Sequence, residues 1–258
     1  KELHLFENQI EDITVLKDFK YALYFKNALK KAYLPADKIS ARSPVLQRKI
    51  EEIIPETQGK TFTAYSGIDI SSISSAPLKR RINRKRLKIC TAAALIKRKN
   101  IDIIIKALAK FHKKFELTII GDGPERKKLE KLAKRLKLSS KIKFTGYLPH
   151  DETLKTMQEN DIFILLSRNE TFGLVYLEAA ASGNIIIAKQ NDGIDGILRN
   201  GKNAFLIKPD KKELVLYLEK IINMKKAEIQ TIRQNAFETG LNLSIEKAAE
   251  NYIENINI

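Results

Sequence analysis

The sequence predicts an α/β fold, a parallel sheet with helices on both faces, together with a partial second α/β domain. Apolar runs of strand length alternate with segments of helical periodicity from residue 87 onward. The strand-like runs, such as FILL, NIIIA and LTII, are continuously apolar rather than alternating, which is typical of parallel strands covered on both faces. A content of 43% hydrophobic and 30% charged residues in 258 positions indicates a globular chain with a sizeable core.

For residues 1–69 the sequence pattern predicts only four secondary-structure elements, which belong to that second domain. Apolar residues at helical spacing predict a helix over 14–34, which Pro35 ends. DKISARSPVLQRKIEEI predicts a short strand and then a helix that begins at Ser-Pro, and KTFTAYSGID predicts a strand that ends in a glycine turn. The chain begins with Lys1 instead of methionine, so we expect it to come from a longer or processed protein.

A regular alternation of strands and helices follows a Ser-rich and then basic linker, which predicts a domain boundary near residue 80. Strands are predicted over 87–94, 115–120, 142–145, 162–166, 185–188 and 205–207. Helices are predicted between them over 100–113, 125–136, 150–159 and 173–181, and at the end over 211–224, 226–239 and 244–256. Ligands of such sheets bind beyond the carboxyl ends of the strands, so we expect functional residues in the strand-to-helix loops.

The loop at ETFGLVYLE, residues 170–178, carries the strongest chemical signal. An apolar strand turns there into a helix that starts near Gly173. The first turn of a helix offers unpaired N–H groups and a positive dipole end, and a glycine lets a ligand approach the backbone closely. This arrangement predicts a seat for phosphate.

Two glutamates flank the predicted phosphate seat. Glu170 lies at its rim, and Glu178 follows inside an apolar helix, where a carboxylate must find hydrogen-bond donors. Sugar hydroxyls are suitable donors, so the pair predicts a nucleotide whose phosphate joins two sugars, with the ribose on Glu178 and the outer sugar on Glu170. Two other interpretations stay open: a buried salt bridge to a lysine for Glu178, and an acid favoured by the helix dipole for Glu170.

The segment ETFGLVYLEAAASG resembles the signature of the family 4 retaining glycosyltransferases of the GT-B architecture. Further segments resemble other motifs of that family in the same order: ISARSPVLQRKI with YSGID, LIKRKNIDIIIKAL, LTIIGDGPERKKLEKLAKRL and KIKFTGYLPHDET. The resemblance implies a Rossmann-like sheet of GT-B type. It also implies three parts: 1–78 as the remnant of the acceptor-side N-terminal domain with its linker, 79–240 as the nucleotide-sugar donor-binding domain, and 241–258 as a helix that packs back on the first domain.

The resemblance also implies a map of the donor site. Glu170 would contact the transferred sugar and Lys99 would neutralise the phosphate as the leaving group departs, so both are candidate catalytic residues. Glu178 would bind the ribose hydroxyls. The other implied donor-binding residues are Thr171, Phe172, Gly173 and Leu174 at the diphosphate, Tyr147 and Leu148 at the base, and Gly121 and Gly123 beside the nucleotide.

One cation that the family commonly has is missing from its usual place. Ala94 occupies the position of an arginine that precedes the lysine in the family. Lys97 or Arg98, in the same loop, would have to supply this second positive charge. The three histidines are interpreted as surface or capping residues: His4, His112 and His150.

The resemblance implies an enzyme that transfers a hexose with retention from a nucleotide-diphospho-sugar, such as a UDP- or GDP-sugar. The acceptor would be a glycan or a lipid-linked saccharide of the cell-surface polysaccharide type. No metal site is predicted, and the implied mechanism is metal-independent and needs no cofactor besides the donor. Two alternatives stay open: a non-catalytic sugar-nucleotide-binding subunit, and a sugar-nucleotide epimerase or phosphorylase of the same architecture.

The formal net charge of +16 predicts an anionic partner. Seven of the ten residues 79–88 are basic, which leaves three interpretations: an anionic membrane surface, nucleic acid, or a solvated linker. Nucleic acid is disfavoured because this run has no aromatic residue and no nucleic-acid-binding motif is present. Cys90 is the only cysteine, which fits a reducing compartment. We therefore expect a cytoplasmic protein, or one held peripherally on the inner face of the membrane.

Overall fold

The computed structural model describes residues 19–71, 73, 78 and 82–256, with side chains from residue 26 onward. Its strands are β1 (Ile39–Ala41), β2 (Thr61–Thr63), β3 (Arg86–Ala92), β4 (Lys114–Ile120), β5 (Ile142–Gly146), β6 (Ile162–Leu165), β7 (Ile185–Lys189) and β8 (Phe205–Ile207). The last six form one parallel sheet in the order β5-β4-β3-β6-β7-β8, and β1 and β2 form a separate parallel pair. The α/β class predicted from the apolar runs is confirmed.

The helices of the described chain are α1 (Phe19–Tyr33), α2 (Pro44–Ile53), α3 (Ile101–Leu108), α4 (Arg126–Arg135), α5 (His150–Gln158), α6 (Leu174–Ala181), α7 (Lys211–Asn223), α8 (Lys226–Leu241) and α9 (Ile245–Ile256). The strand order reverses at β3, because β4 and β5 follow on one side of it and β6 and β7 on the other. Right-handed crossovers therefore place α3 and α4 on one face of the sheet and α5 and α6 on the opposite face. None of the described helices is long and apolar enough to cross a bilayer.

The core of the larger sheet consists of the strands that the sequence shows as continuous apolar runs. β6 is buried along its whole length, and β7 is buried from Ile185 to Ala188. Each large aliphatic side chain buried in this way contributes about 1.5–3 kcal/mol to stability. α6 packs between this sheet and α8, and the contact is so close that a Cβ on Gly240 would lie 2.8 Å from the Cβ of Ala181. Tight packing on both sides fixes the start of α6 relative to the sheet.

The first unit, formed by α1, β1, α2 and β2, has a small core of its own. It meets the larger unit near the end of the chain, where Ile68 donates its N–H to Leu243 and accepts a hydrogen bond from Ile245, at 2.9 and 3.1 Å. The ring of Tyr252 in α9 lies 5.9 Å from the ring of Phe62. α9 therefore contacts the first unit, and the division into domains stays a prediction.

Several predicted boundaries differ from those in the structure. The helix predicted over 100–113 ends at Leu108, because Ala109 and Lys110 turn the chain so that the ring of Phe111 can be buried before β4 begins. The segment KTFTAYSGID forms a strand only at Thr61–Thr63. β3 begins at Arg86, so the end of the basic run belongs to the sheet and not to a linker. Residues 14–18 of the first predicted helix and 79–81 of the basic run lie outside the described residues.

Candidate functional site

Four loops meet at the carboxyl edge of the larger sheet, beside the reversal of strand order. They are the loops after β3, β4, β6 and β7, which span residues 93–100, 121–125, 166–173 and 190–196. Backbone hydrogen bonds join them in pairs: Leu95 N to Asp122 O at 2.9 Å, Arg168 N to Arg98 O at 2.8 Å, and Gly193 N to Glu170 O at 2.9 Å. This edge is where open parallel sheets bind their ligands.

The loop after β6 ends at Gly173, which precedes the first residue of α6. Its φ of 88° lies in the left-handed region that favours glycine, and a Cβ there would lie only 2.6 Å from Cδ2 of Tyr176. The side chain of Phe172 is buried, with its ring 6.2 Å from that of Tyr65. The free N–H groups of the first turn of α6 are therefore the polar groups that this segment can offer to a ligand. Such a helix start has the geometry that a phosphate seat requires.

Tyr176 ties the start of α6 to the end of β6. Its hydroxyl donates a hydrogen bond to the carbonyl of Leu165 at 2.9 Å. Burial raises the pKa of Tyr176 well above its usual value, and the nearby carboxylates of Glu170 and Asp192 raise it further. The phenol therefore stays neutral and keeps donating to the end of β6.

The two candidate catalytic residues contact each other. Nζ of Lys99 lies 2.5 Å from Oε2 of Glu170, and the two side chains are only 11% and 16% exposed. A guanidinium nitrogen of Arg98 lies 3.8 Å from the same carboxylate oxygen. An ion pair with so little water around it is stronger than one at the surface. The cation predicted for phosphate and the acid predicted for sugar therefore neutralise each other.

The loop that carries Lys99 is held against the loop after β6. Nδ2 of Asn100 donates to the carbonyl of Leu166 at 2.6 Å, and the guanidinium of Arg98 donates to the carbonyl of Asn169 at 3.2 Å. The side chain of Lys97 is exposed and has no hydrogen bond or ion pair with any residue that the structure describes. Arg98 is thus the better placed of the two candidates for the missing second cation.

Asp192, in the loop after β7, is a residue of this site that the sequence analysis misses. Its side chain is 7% exposed, and its Oδ1 accepts the N–H groups of Glu170 and Gly193 at 2.7 and 3.0 Å. Its Oδ2 lies 2.9 Å from Nζ of Lys189. A buried carboxylate that accepts several hydrogen bonds keeps its partners in place, because an unpaired buried charge would be costly. Asp192 therefore fixes the backbone of Glu170.

Gly193 brings the loop after β7 close enough for these hydrogen bonds. A Cβ at this position would lie 2.2 Å from the carbonyl oxygen of Glu170 and 2.5 Å from the carbonyl carbon of Thr171. No real Cβ atom tolerates such distances from a backbone. Any larger residue at position 193 would therefore push the two loops apart.

Glu178 has a protein partner that the sequence does not predict. Its Oε1 lies 3.1 Å from Nε2 of His150, the first residue of α5. The side chain of Glu178 is 18% exposed and that of His150 is 49% exposed. The sequence predicts that this carboxylate needs hydrogen-bond partners, and the structure supplies one in His150, while its contact with a ribose stays a prediction. The alternative, a buried salt bridge to a lysine, is wrong for the part of the chain that the structure describes.

His150 also faces the first unit of the chain. Hydrogen bonds from Ser71 lower the pKa of Asp69, and the imidazole of His150 lowers it slightly further. The interpretation of His150 as a surface residue therefore misses two acidic neighbours, Glu178 and Asp69.

Gly121 and Gly123 allow the loop after β4 to pack closely against the loop after β3. Their φ angles are 118° and 156°, and added Cβ atoms would lie 2.1 Å from the carbonyl oxygen of Ala93 and 2.7 Å from that of Leu95. The N–H of Gly123 and the guanidinium of Arg126 lower the pKa of Asp122, which lies between the two glycines. The low path predicted for this loop is therefore present.

The remaining predicted donor residues lie at the outer part of the same edge. Tyr147 is 81% exposed and Leu174 is 38% exposed, whereas Leu148 packs against the core. Thr171 is half-buried beside Gly193. The structure thus brings the acids, the cations and the helix start together. The ring of Tyr147, in contrast, extends into the solvent.

A parallel sheet with a reversal of strand order, and a glycine-started helix with paired acids and cations at that reversal, define an α/β protein of the doubly wound class, which binds its ligands at this edge. The sequence model of the family Glycosyl transferases group 1 matches residues 74–239, which is more than half of the chain. The chain belongs to this family.

Two curated relatives illustrate the range of the family. The alpha-monoglucosyldiacylglycerol synthase of Acholeplasma laidlawii is 34% identical over 129 residues, which cover 49% of this chain and 32% of that protein. The GPI3 subunit of phosphatidylinositol N-acetylglucosaminyltransferase from Saccharomyces cerevisiae is 26% identical over 164 residues, 62% of this chain and 35% of that protein. The chain therefore spans only about a third of the length of these relatives.

Two solved structures resemble the whole of the described chain. HepE of Anabaena in complex with UDP has a TM-score of 0.78 and 21% identity, and the match covers 93% of this chain and 68% of that one. Sucrose-phosphate synthase of Thermosynechococcus elongatus has a TM-score of 0.77 and 19% identity, with 96% and 65% covered. These likenesses establish the fold, which is that of the GT-B glycosyltransferases.

Proposed function

We propose that this chain binds the nucleotide-sugar donor of a retaining hexosyltransferase. The observation that carries this proposal is the ion pair of Lys99 and Glu170 beside the glycine-started helix α6. One cation, one acid and a set of free N–H groups suit a ligand in which a diphosphate adjoins a sugar. Membership of the group 1 glycosyltransferases supports the same ligand class.

Donor binding would exchange the partners of the ion pair. Lys99 and Arg98 would turn to the diphosphate, whose negative charge also faces the first turn of α6. Glu170 would accept hydrogen bonds from hydroxyls of the transferred sugar in place of the ammonium group. Glu178 would accept the ribose hydroxyls, with His150 holding its other side. Every charged group of the site thereby keeps a partner in both states.

The transfer step would break the bond between the anomeric carbon and the phosphate oxygen. The acceptor hydroxyl would attack the same face of the sugar, and its proton would pass to the departing phosphate oxygen. Lys99, Arg98 and the N–H groups of α6 would stabilise the negative charge that develops on the diphosphate. Stabilisation of this kind by groups already in place is usually the largest single contribution to catalysis. Lys99 and Arg98 would thus stabilise the departing diphosphate without a metal ion.

We propose UDP-sugars as the first donors to test, because the fold neighbour HepE was solved in complex with UDP. GDP-sugars are the alternative. We propose a glycan or lipid-linked acceptor, since the named relatives include a synthase of a glucosylated diacylglycerol and a phosphatidylinositol glycosyltransferase subunit. A cytoplasmic protein at the inner face of the membrane would meet such an acceptor.

A second candidate is a non-catalytic sugar-nucleotide-binding subunit. Ala94 favours it, because this position lacks the cation that the family commonly places before the lysine. Arg98, whose guanidinium lies 3.8 Å from Glu170, argues for the enzyme because a second cation is present in the same loop.

A thermal-shift panel of UDP, GDP, ADP and their sugars, followed by calorimetry, tests the proposal. A ligand that binds the folded state raises its stability by mass action, by about 2.7 kcal/mol at a hundred times the dissociation constant. We expect one nucleotide to raise the melting temperature, and Glu178→Ala to remove most of that rise. Binding without any release of nucleotide from the donor would favour the subunit. No binding of any of these nucleotides would contradict both candidates.

A further inference from the structure

Two short segments, residues 79–88 and 126–143, carry most of the net positive charge of the chain. Residues 126–143 contain nine lysines and arginines and one acid, Glu130. Residues 211–256, which form the last three helices, contain seven basic and seven acidic residues. A general bias of the sequence towards lysine would affect both regions alike. The excess in residues 126–143 therefore needs a local reason.

The structure turns these cations outward on one surface. α4 buries Leu129, Leu132 and Ala133, so its other side faces the solvent. The cations exposed there or along the chain that leads to β5 form what we term the α4 basic face: Lys127, Lys128, Lys131, Lys134, Arg135, Lys137 and Lys141.

Most of the α4 basic face has no acidic partner. Lys128 pairs with Glu125, and Lys141 lies over the ring of Phe115. The side chains of the other five cations have no ion pair or hydrogen bond with any residue in the described ranges. Like charges three and four residues apart on a helix destabilise it, and the neighbours on α4 lie within one Debye length of about 8–10 Å. The face is therefore unfavourable for the isolated protein and favourable beside an anionic surface.

The α4 basic face begins at the rim of the candidate donor site. Arg126, the first residue of α4, donates to Oδ2 of Asp122 at 2.7 Å, and Asp122 belongs to the loop between Gly121 and Gly123. A surface that bound this face would lie next to the edge at which the donor loops meet.

We propose that the α4 basic face binds the anionic head groups of a phospholipid bilayer. The choice of a bilayer rests on the proposed function, because a lipid-linked acceptor has to be taken from a membrane. An array of exposed cations without a single aromatic residue in 126–143 also suits head groups better than single-stranded nucleic acid, which binds through base stacking.

The basic run at 79–88 is a weaker candidate for the same role. The guanidinium of Arg84 donates to the carbonyl of Ile222 at 3.2 Å, and Arg86 pairs with Glu116. Lys88 lies in β3 beside a polar groove. At least two of the seven cations therefore serve contacts inside the larger unit.

Vesicle co-sedimentation of the full chain tests the proposal, with phosphatidylcholine vesicles that contain phosphatidylglycerol and vesicles that lack it. The test variant K127Q/K131Q/K134Q/R135Q removes four cations of the face. The matched control K211Q/K212Q/K225Q/K226Q removes four exposed cations near the opposite edge of the sheet and lowers the net charge equally. A third variant, K79Q/R80Q/R81Q, tests the start of the basic run. Thermal unfolding and nucleotide binding of each variant are measured alongside.

We expect the parent chain to bind only the anionic vesicles. Each cation near such a surface strengthens partitioning about fivefold, so the four substitutions on α4 should weaken it by more than about a hundredfold. The control should retain most of the binding, and all variants should keep the same nucleotide affinity.

Four outcomes would overturn the proposal: no vesicle binding by the parent chain, an equal loss in the control, a loss confined to K79Q/R80Q/R81Q, or a preference for RNA over vesicles that disappears in the α4 variant. The readout is separate from nucleotide binding. If vesicle binding depended on α4 but the chain bound no nucleotide, the membrane-binding role of the α4 basic face would be supported and the proposed function would be contradicted.

Discussion

The carboxyl edge of the larger sheet has two sides that are built differently. The side that we propose for the diphosphate, termed the phosphate side, comprises residues 97–100, 168–173 and 189–193. It is interlocked by backbone and side-chain hydrogen bonds, and its buried charges are paired. The side that we propose for the base, termed the base side, comprises residues 146–150. It projects the ring of Tyr147 into solvent, and its half-exposed His150 contacts Glu178. The phosphate side is held by many contacts within the protein, whereas the base side leaves more of its side chains exposed to solvent.

This difference indicates how the site divides its tasks. Stabilising a diphosphate that gains charge needs cations and N–H groups that are already in place, because moving them during the reaction would raise the barrier. Recognising a base needs contacts only after binding, and an exposed loop can form them at that stage. Substitutions on the phosphate side should therefore affect nucleotide binding and catalysis more than those on the base side.

The largest effect is expected at Lys99. Replacing it with glutamine removes the buried cation and leaves Glu170 without its closest partner, so release of nucleotide from the donor should fall about a hundred- to a thousandfold. Lys106→Gln is the matched control, since this exposed lysine pairs with Asp102 four residues away on α3. Steady-state assays of both variants check the prediction. Loss of less than tenfold in the Lys99 variant would remove it from the catalytic role.

The second largest effect is expected at Asp192. Alanine leaves the N–H groups of Glu170 and Gly193 without their acceptor, so the free energy of unfolding should fall by about 1–3 kcal/mol and turnover should fall with it. Asparagine keeps an oxygen for both N–H groups and should restore much of both losses. Denaturant unfolding and donor turnover of the two variants provide the test. Equal damage from asparagine and alanine would mean that the negative charge beside Lys189, and not the loop geometry, is what matters.

A smaller effect is expected at Glu170, where substitution should raise the affinity for the nucleotide instead of lowering it. Glutamine is uncharged, so Lys99 no longer has to leave an ion pair before it can contact a phosphate. The affinity for the nucleoside diphosphate should therefore rise about fivefold, or roughly 1 kcal/mol. Turnover should nevertheless fall, because the contact with the sugar is weakened. Calorimetry with the diphosphate checks the affinity, with Asp102→Asn as a control that breaks an exposed ion pair. Unchanged or weaker affinity would contradict the proposed exchange of partners.

The sequence predicts the phosphate side in part because its signals are local. Gly173 and Glu170 lie on one short segment, and the continuous apolar run before them fixes the strand, so the helix start could be placed to within one residue. That Lys99 pairs with Glu170 could not be predicted from the residues alone, since the two lie 71 positions apart and meet because β3 pairs with β6 and the loops after these strands are hydrogen-bonded to each other. A residue spacing along the chain carries no information about which loops a sheet brings together.

Asp192 and His150 were missed for different reasons. Asp192 follows β7 at the carboxyl edge, so applying the loop rule to this strand as well would have found it. His150 contacts Glu178 across two helices, α5 and α6, and nothing in the sequence near either residue indicates that contact. The fold was accessible from apolar patterning, whereas pairs of side chains from separate elements required the structure.

The smallest effect, on the base side, is expected at His150. Its Nε2 lies 3.1 Å from Oε1 of Glu178, and 49% of its side chain is exposed, so loss of this hydrogen bond should lower nucleotide affinity by only about three- to tenfold, roughly 0.5–1.5 kcal/mol. Glutamine can place an N–H group near the position of Nε2 and should restore most of the affinity, whereas alanine cannot. Calorimetry of both variants, with the melting temperature as a check on folding, distinguishes them. A loss at His150→Ala as large as that at Lys99→Gln would show that the base side is as fixed as the phosphate side and would break the comparison between them.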